Sequence, residues 1–232
     1  MRIAAILFCL FALPAAAQES GLVSLQTGDD SRGWNAVGRI DLGLHGFCTG
    51  ALIAPQLVLT AAHCLFDKTT GARIPAEDIK FLAGLRNGRA EAYRGASRAI
   101  AHPDYVYSGA EAIDRVGYDL ALIELDQPIQ QTSITPFETD VRPPAGANVG
   151  VVSYAQDRAE APSLQQVCHV IDEDPNIMVL SCDVDFGSSG APIFAVTNGV
   201  ARIVSVVSAK ATVEGKKVAL GTQLAAPLAV LM

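Results

Sequence analysis

At 232 residues with a formal net charge of −7, the chain has material for one large domain or two small ones. An acidic balance without any basic cluster excludes a nucleic-acid binder of the ordinary electrostatic kind and favours solubility. After the first seventeen residues no segment is apolar for long enough to cross a bilayer as a helix. Residues 1–17 read as a signal peptide: Arg2 is a positive leader, Ile3 to Leu13 is apolar, and Ala15, Ala16 and Ala17 form a small-residue cleavage site before Gln18. Its removal leaves about 215 residues with a charge of −8, bound for a secreted or periplasmic location and without a membrane partner.

Helical periodicity is scarce beyond the leader, and short apolar runs alternate with turn signals, which predicts an all-β chain. "GALIA" and "LVLTAA" are joined by Pro55 and Gln56, and "FLAGL" leads into Arg86-Asn87-Gly88, whose Asn-Gly is a hairpin signal. "DLALIEL" reads as a strong buried strand. The Pro-rich, polar stretch "QPIQQTSITPFETDVRPPAGANVG" then divides the strands into two sets of similar size. Two β-domains are therefore expected, over 34–127 and 148–232, joined by a linker at 128–147. In the second set come "VGVVSYA", "QQVCHVI" and "IMVLSCDV". A meander with turns at Thr197-Asn198-Gly199 and Glu214-Gly215 follows, then "APLAVLM" as a short closing helix.

Cys9 leaves with the leader; Cys48, Cys64, Cys168 and Cys182 remain. An even number in an exported chain predicts two disulfides, with three pairings open and the sequential one, 48–64 and 168–182, the simplest. The competing reading, a zinc site, lacks a close C-x-x-C pair, so no metal is expected.

"CDVDFGSSGAPIF", Cys182 to Phe194, places two serines between glycines, which alone is ordinary turn chemistry. A serine nucleophile needs a base, and the histidines are His45, His63, His102 and His169. His63 ends an apolar strand and is followed by a cysteine that can fix its backbone. Asp119 stands at the mouth of the buried strand, where a carboxylate needs a hydrogen-bond partner such as an imidazole N–H; Asp104, Asp114 and Asp126 compete from more polar surroundings. No histidine follows Ser189, which rules out the order Ser, acid, His. His63, Asp119, Ser189 gives instead the order His-Asp-Ser, one of the convergent triad arrangements.

"TAAHC", "DLALIEL" and "GSSGAP" resemble the chymotrypsin/trypsin family of serine proteases, in particular its bacterial secreted branch that includes glutamyl endopeptidases. "FCTGALIAPQLVLTAAHC" and "AIAHPDY" strengthen the likeness, which runs from about Trp34 to Gln223. The resemblance implies two six-stranded antiparallel β-barrels with the active site in the cleft between them. His63 and Asp119 would come from the first barrel and Ser189 from the second, with Cys48–Cys64 and Cys168–Cys182 bonded. It implies Ser189 as nucleophile, His63 as general base, Asp119 as its orienting acid, and the N–H groups of Gly187 and Ser189 as oxyanion hole. It further implies a monomer acting on protein or peptide substrates without a cofactor.

Two positions depart from the family pattern. Ser188 replaces the aspartate that binds a newly made N-terminus in trypsin-like zymogens, which predicts no activation by that ion pair, although residues 18–33 remain an N-terminal segment or short propeptide. Ala191 replaces a glycine. For specificity, Asp183 lies six residues before Ser189, where trypsins place the aspartate that binds Arg or Lys. Ser205 would start the substrate-binding strand and set Val207 at a pocket position, which favours small aliphatic side chains instead. His45 and His102 are expected to be structural or surface residues. A secreted serine endopeptidase is the leading expectation; a catalytically silent binding or regulatory relative and an esterase are the alternatives.

Overall fold

The apolar runs and Asn-Gly turns of the sequence build strands that close twice. The structure, a computed structural model, describes residues 21–109, 113–174 and 176–232. The signal peptide expected over 1–17 lies outside the described residues. A two-residue strand β1 (Val23–Ser24) comes first. The first barrel consists of β2 (Val37–Asp41), β3 (Phe47–Ala54), β4 (Leu57–Thr60), β5 (Lys80–Ala83), β6 (Ala92–Ala101) and β7 (Ala121–Leu125), closed in the order β2-β3-β4-β7-β6-β5.

The second barrel consists of β8 (Asn148–Ala155), β9 (Arg158–Asp174), β10 (Ile177–Leu180), β11 (Pro192–Thr197), β12 (Val200–Val213) and β13 (Lys216–Gln223). Its order is β9-β10-β13-β12-β11-β8, and β8 pairs back onto β9 to close the ring. β1 adds to the outer side of β9. Both barrels are antiparallel and six-stranded, as the family resemblance implies. A short helix α1 (Ala225–Leu231) follows.

Hairpin turns set the register. Asn87 and Gly88 have φ of 48° and 77°, and Asn198 and Gly199 have 52° and 78°, the left-handed pair that a two-residue hairpin loop demands. Glu214 and Gly215 adopt the same geometry between β12 and β13. Two strands carried no clear sequence signal. β6 is only partly buried and interrupts its apolar residues with Arg94, Gly95, Ser97 and Arg98, while β2 is short and mixed.

Each barrel has its own core. Ile40, Phe81 and Ile123 belong to the first, and Val151, Met178 and Ile193 to the second. A further cluster joins them, with Leu59 and Leu122 of the first barrel packed with Tyr154, Phe194 and Val206 of the second. The ring of Phe194 sits 5.0 Å from that of Trp34 and 4.7 Å from that of Phe137. The segment between the barrels binds both: Phe137 N–H donates to Leu52 O and Asp140 N–H to Ile203 O, at 2.9 and 2.8 Å. The two walls of any cleft between the barrels are thus fixed by apolar burial rather than by a flexible tether.

The disulfides take the sequential pairing, Cys48–Cys64 and Cys168–Cys182, closing loops with sequence separations of 16 and 14. A loop of this length restricts the unfolded chain by about 3 kcal/mol. The double variant Cys168→Ala/Cys182→Ala is therefore expected to lose about that much in a urea titration. A loss below about 1 kcal/mol would show that the bridge contributes little.

His102 is buried, its Nδ1 accepts the Asp104 N–H at 3.2 Å, and its ring lies 5.2 Å from that of Tyr118. Burial pushes its pKa below the ordinary 6.5, against the opposing pull of the Asp104 carboxylate. The unfolded chain therefore takes up a proton at His102 before the folded one does. The stability held by the neutral ring is complete above about pH 6.5 and drains as pH falls through the lower folded value. Melting temperatures measured from pH 8 to 5 should fall on acidification, and fall less in His102→Asn, whose side-chain oxygen keeps an acceptor for Asp104.

Candidate active site

β4 ends at Thr60, and a 3₁₀ turn over Ala62–Leu65 swings His63 out of the sheet instead of continuing the strand. The bond from Cys64 to Cys48 on β3 pins that turn. Asp119 follows another 3₁₀ turn, Ile113–Tyr118, and is 3% exposed just ahead of β7. Its Oδ1 accepts the His63 backbone N–H at 2.8 Å and its Oδ2 meets His63 Nδ1 at 2.7 Å. Ser208 of β12 donates its hydroxyl to the same Oδ2.

Three donors thus compensate a carboxylate that would be very costly to bury alone. Nδ1 carries the proton in this arrangement, which leaves the Nε2 lone pair free to accept one. The second barrel also grips the aspartate's turn: Thr222 Oγ1 donates to Val116 O at 2.5 Å, and Gly117 lies so close to Asn176 that an added Cβ would sit 2.8 Å from its Cβ.

The loop before β11 carries the serines. Gly187 has φ of 97°, and an added Cβ would lie 2.4 Å from the Phe47 ring. Gly190 has φ of 74°, and its Cβ would lie 2.1 Å from Thr60 Oγ1 and 2.5 Å from Thr49 O. Only glycine meets both the backbone angle and the close approach of the first barrel at these positions.

Ser188 is fully buried. Its hydroxyl lies 3.2 Å from Tyr154 O and 3.3 Å from Ser153 Oγ, and it accepts the Asp185 N–H. Ser189 is half-buried, and among the described residues its hydroxyl makes no hydrogen bond. Its carbonyl accepts the Thr49 N–H at 2.8 Å, so the loop docks one residue from Cys48, whose disulfide partner Cys64 adjoins His63. Among the described residues the N–H groups of Ser188, Gly190 and Ala191 find protein acceptors, whereas those of Gly187 and Ser189 find none.

Of the expected specificity residues, Val207 brackets the serine loop, its carbonyl accepting the Gly190 N–H at 2.7 Å and its N–H donating to Ala191 O at 2.9 Å. Asp183 is exposed, and its N–H donates to Gln165 Oε1 at 2.7 Å. Ser205 and Val207 are 0% and 2% exposed; Ser205 donates to Thr222 O and Val207 packs in the second core. The serine that reaches across to the first barrel is Ser208, three residues on. A mark in the sequence could have found it: Ser208 stands where the apolar run of β12 gives out, while Ser205 stands inside it.

Beyond Ser208, Lys210 pairs with Asp185 at 2.7 Å and lies 3.9 Å from the centre of the Phe186 ring, beside Gly187. The Lys210 ammonium, helped by the Phe186 N–H, lowers the Asp185 pKa. His45 meets Asp67 at 2.5 Å, and the Thr70 hydroxyl and N–H, aided by His45, hold that carboxyl at about 2. The His169 N–H donates to Ser181 Oγ at 2.9 Å. Of the rival carboxylates, Asp104 and Asp126 are exposed, and the side chain of Asp114 lies outside the described residues. Cys48, His63 and Cys64 bring ligand-type atoms within 4.8 Å of one another, but both sulfurs are consumed in the disulfide and offer no thiolate.

The sequence profile of the family described as Trypsin matches residues 26–227. Among curated proteins, the chain is 26% identical over 150 residues to glutamyl endopeptidase of Bacillus licheniformis, covering 64% of this chain and 45% of that protein. It is 28% identical over 167 residues to serine protease 23 of Homo sapiens, covering 63% and 42%. The chain therefore spans less than half the length of these relatives. A solved structure of a Glu endopeptidase in complex with MPD superposes with a TM-score of 0.71 at 20% identity, over 93% of this chain and 96% of that one, which shows a shared fold. With the family profile matched along most of its length, the chain belongs to the trypsin family of chymotrypsin-like serine proteases.

Proposed function

We propose that the chain is a serine endopeptidase that cleaves protein or peptide substrates through an acyl-enzyme, with His63, Asp119 and Ser189 as its triad. The observation that carries this reading is the His63–Asp119 pair, closed by Ser208, with a loop docked on Thr49 and Thr60 beside its segment whose Gly187 and Ser189 N–H groups find no acceptor among the described residues. Ser189 Oγ bonds to the substrate carbonyl carbon as His63 Nε2 takes its proton, and Asp119 stabilises the imidazolium formed. The carbonyl oxygen becomes an oxyanion held by the two free N–H groups. The C–N bond breaks as His63 returns the proton to the leaving amine, and water, deprotonated by the same imidazole, releases the acid. Two disulfides support an exported protein, secreted or periplasmic, since such bonds persist in oxidising compartments.

One observation favours a second reading, a silent relative on the same fold: Ser189 Oγ makes no hydrogen bond to His63 among the described residues. A serine-directed phosphonate separates the two. Covalent modification mapped to the peptide containing Ser189, and absent from Ser189→Ala, is the expected result. An unmodified wild type that also leaves casein and a p-nitrophenyl ester intact would support the silent relative. Turnover of the ester alone would mark an esterase.

A further inference from the structure

Four successive peptide planes make up the serine loop, and each is held by an acceptor bond at its carbonyl. Phe186 O takes the Gln156 N–H at 2.7 Å, Ser188 O takes the Ala191 N–H at 2.9 Å, and Ser189 O takes the Thr49 N–H at 2.8 Å. The remaining plane, between Gly187 and Ser188, is held at its carbonyl by a side chain: Thr49 Oγ1 donates to Gly187 O at 2.8 Å. Thr49 thus supplies two of the four anchors, and it does so from the opposite barrel.

The hydroxyl is itself fixed. Thr49 is 0% exposed, and its Oγ1 accepts the Tyr154 N–H at 3.1 Å. Its single proton has two carbonyls in reach, Gly187 O at 2.8 Å and Tyr154 O at 3.5 Å, and the shorter contact is the stronger. Thr60 Oγ1 in turn holds Thr49 O at 2.9 Å.

The plane held by this hydroxyl lies between the two N–H groups assigned above to the oxyanion. Gly187 is a glycine at φ of 97°, so it has little torsional resistance of its own to rotation of that plane; the plane's N–H end donates to Asp185 O at 2.9 Å within the same loop, and the Thr49 hydroxyl is its anchor to the opposite barrel. A turn of the Gly187–Ser188 peptide would change the angle between the two donors, and an oxyanion hole works by having its donors aimed before the charge arrives.

From this geometry we infer that Thr49 is a positioning residue: its buried hydroxyl sets the orientation of the oxyanion-binding N–H groups from across the barrel interface. The inference rests on the peptidase reading above. Thr49 touches no substrate; it acts through Gly187 and Ser189. Because Thr49 also adjoins Cys48, and Cys48 is bonded to Cys64 beside His63, one residue ties the oxyanion loop to the segment bearing the base.

The test compares Thr49→Val, which keeps the shape and removes the hydroxyl, with Thr49→Ser, which keeps the hydroxyl. Removing a whole oxyanion donor costs about 100- to 1,000-fold in rate, and misaiming two should cost less, about 10- to 100-fold. Thr49→Val is expected to lose that factor in kcat on a peptide amide, with KM within about threefold of wild type. Its affinity for a peptide boronate, which forms a tetrahedral adduct, should weaken in parallel. Thr49→Ser should recover both to within about threefold. A purely structural role would lower the melting temperature of Thr49→Val while kcat and boronate affinity, measured well below that temperature, stay at wild-type values; that result overturns the inference and leaves the peptidase reading intact. A wild type inert to phosphonate, peptide and ester alike overturns the peptidase reading first, and this inference falls with it.

Discussion

Ser189→Ala is expected to lower kcat on a peptide substrate by about 10⁶-fold, as the loss of a triad nucleophile does in other acyl-transfer enzymes, while leaving substrate affinity nearly unchanged. The Ser189 hydroxyl makes no hydrogen bond among the described residues, so its removal orphans no partner. Melting temperature should therefore stay within about a degree or two, as for surface substitutions that break no named interaction. Ser188→Ala is the informative control. That hydroxyl is fully buried and shared among Asp185, Ser153 and Tyr154, so its loss should cost about 1 kcal/mol of stability and leave most of the activity. The opposite pattern, with activity surviving in Ser189→Ala and lost in Ser188→Ala, would move the nucleophile to the neighbouring serine. Loss of activity in neither would remove the acyl-enzyme from the account.

What could be read from the chain and what could not divides along physical lines. Strands that bury both faces or end in Asn-Gly announced themselves, because apolar runs and positive-φ turns are local properties: "DLALIEL" became β7 and Thr197-Asn198-Gly199 became a hairpin. β6 did not, since a partly exposed barrel strand carries arginines, a serine and a glycine and owes its pairing to neighbours far away in sequence. The same holds at the site. His63 and Asp119 stood out because a histidine beside a cysteine and a carboxylate at the mouth of an apolar strand are odd within their own segments.

Ser208 and Thr49 did not stand out, for their roles consist of contacts made between barrels: Ser208 lies 89 residues from Asp119 and Thr49 lies 138 from Gly187. β12 contains bulges against β11 and β13, and the serine of that strand that reaches Asp119 is Ser208 rather than Ser205 of the expected substrate-binding strand. A sequence pattern gives the period of a strand but not its irregularities, so it does not say which side chain of β12 reaches Asp119.

That contact makes Asp119→Asn the second large effect, expected at about 10⁴-fold in kcat, the size seen when a triad aspartate is replaced by its amide. All three neighbours of Asp119 present donors: the His63 N–H, the protonated His63 Nδ1 and the Ser208 hydroxyl. An amide has one oxygen to receive them and brings two N–H donors of its own. If its oxygen faces the His63 backbone, its NH₂ faces Nδ1, and the conflict is relieved when the ring shifts its proton to Nε2. The imidazole then accepts from the amide and can no longer take a proton from Ser189. If the oxygen faces the ring, the His63 backbone N–H is left against a donor and the 3₁₀ turn that aims the ring must move. Either route removes the base while the fold persists, because the amide keeps the volume and some of the bonds. Ser208→Ala offers the graded comparison: it deletes one donor of three and leaves the carboxylate in place, so its loss should be about tenfold, in line with one hydrogen bond to a charged group. Rates for the three proteins measured from pH 6 to 10 should show Asp119→Asn gaining activity towards high pH, where hydroxide can replace the missing base, and Ser208→Ala keeping the wild-type profile. An Asp119→Asn protein within tenfold of wild type, with an unchanged pH profile, would mean that another carboxylate orients His63 and that the buried pair is structural.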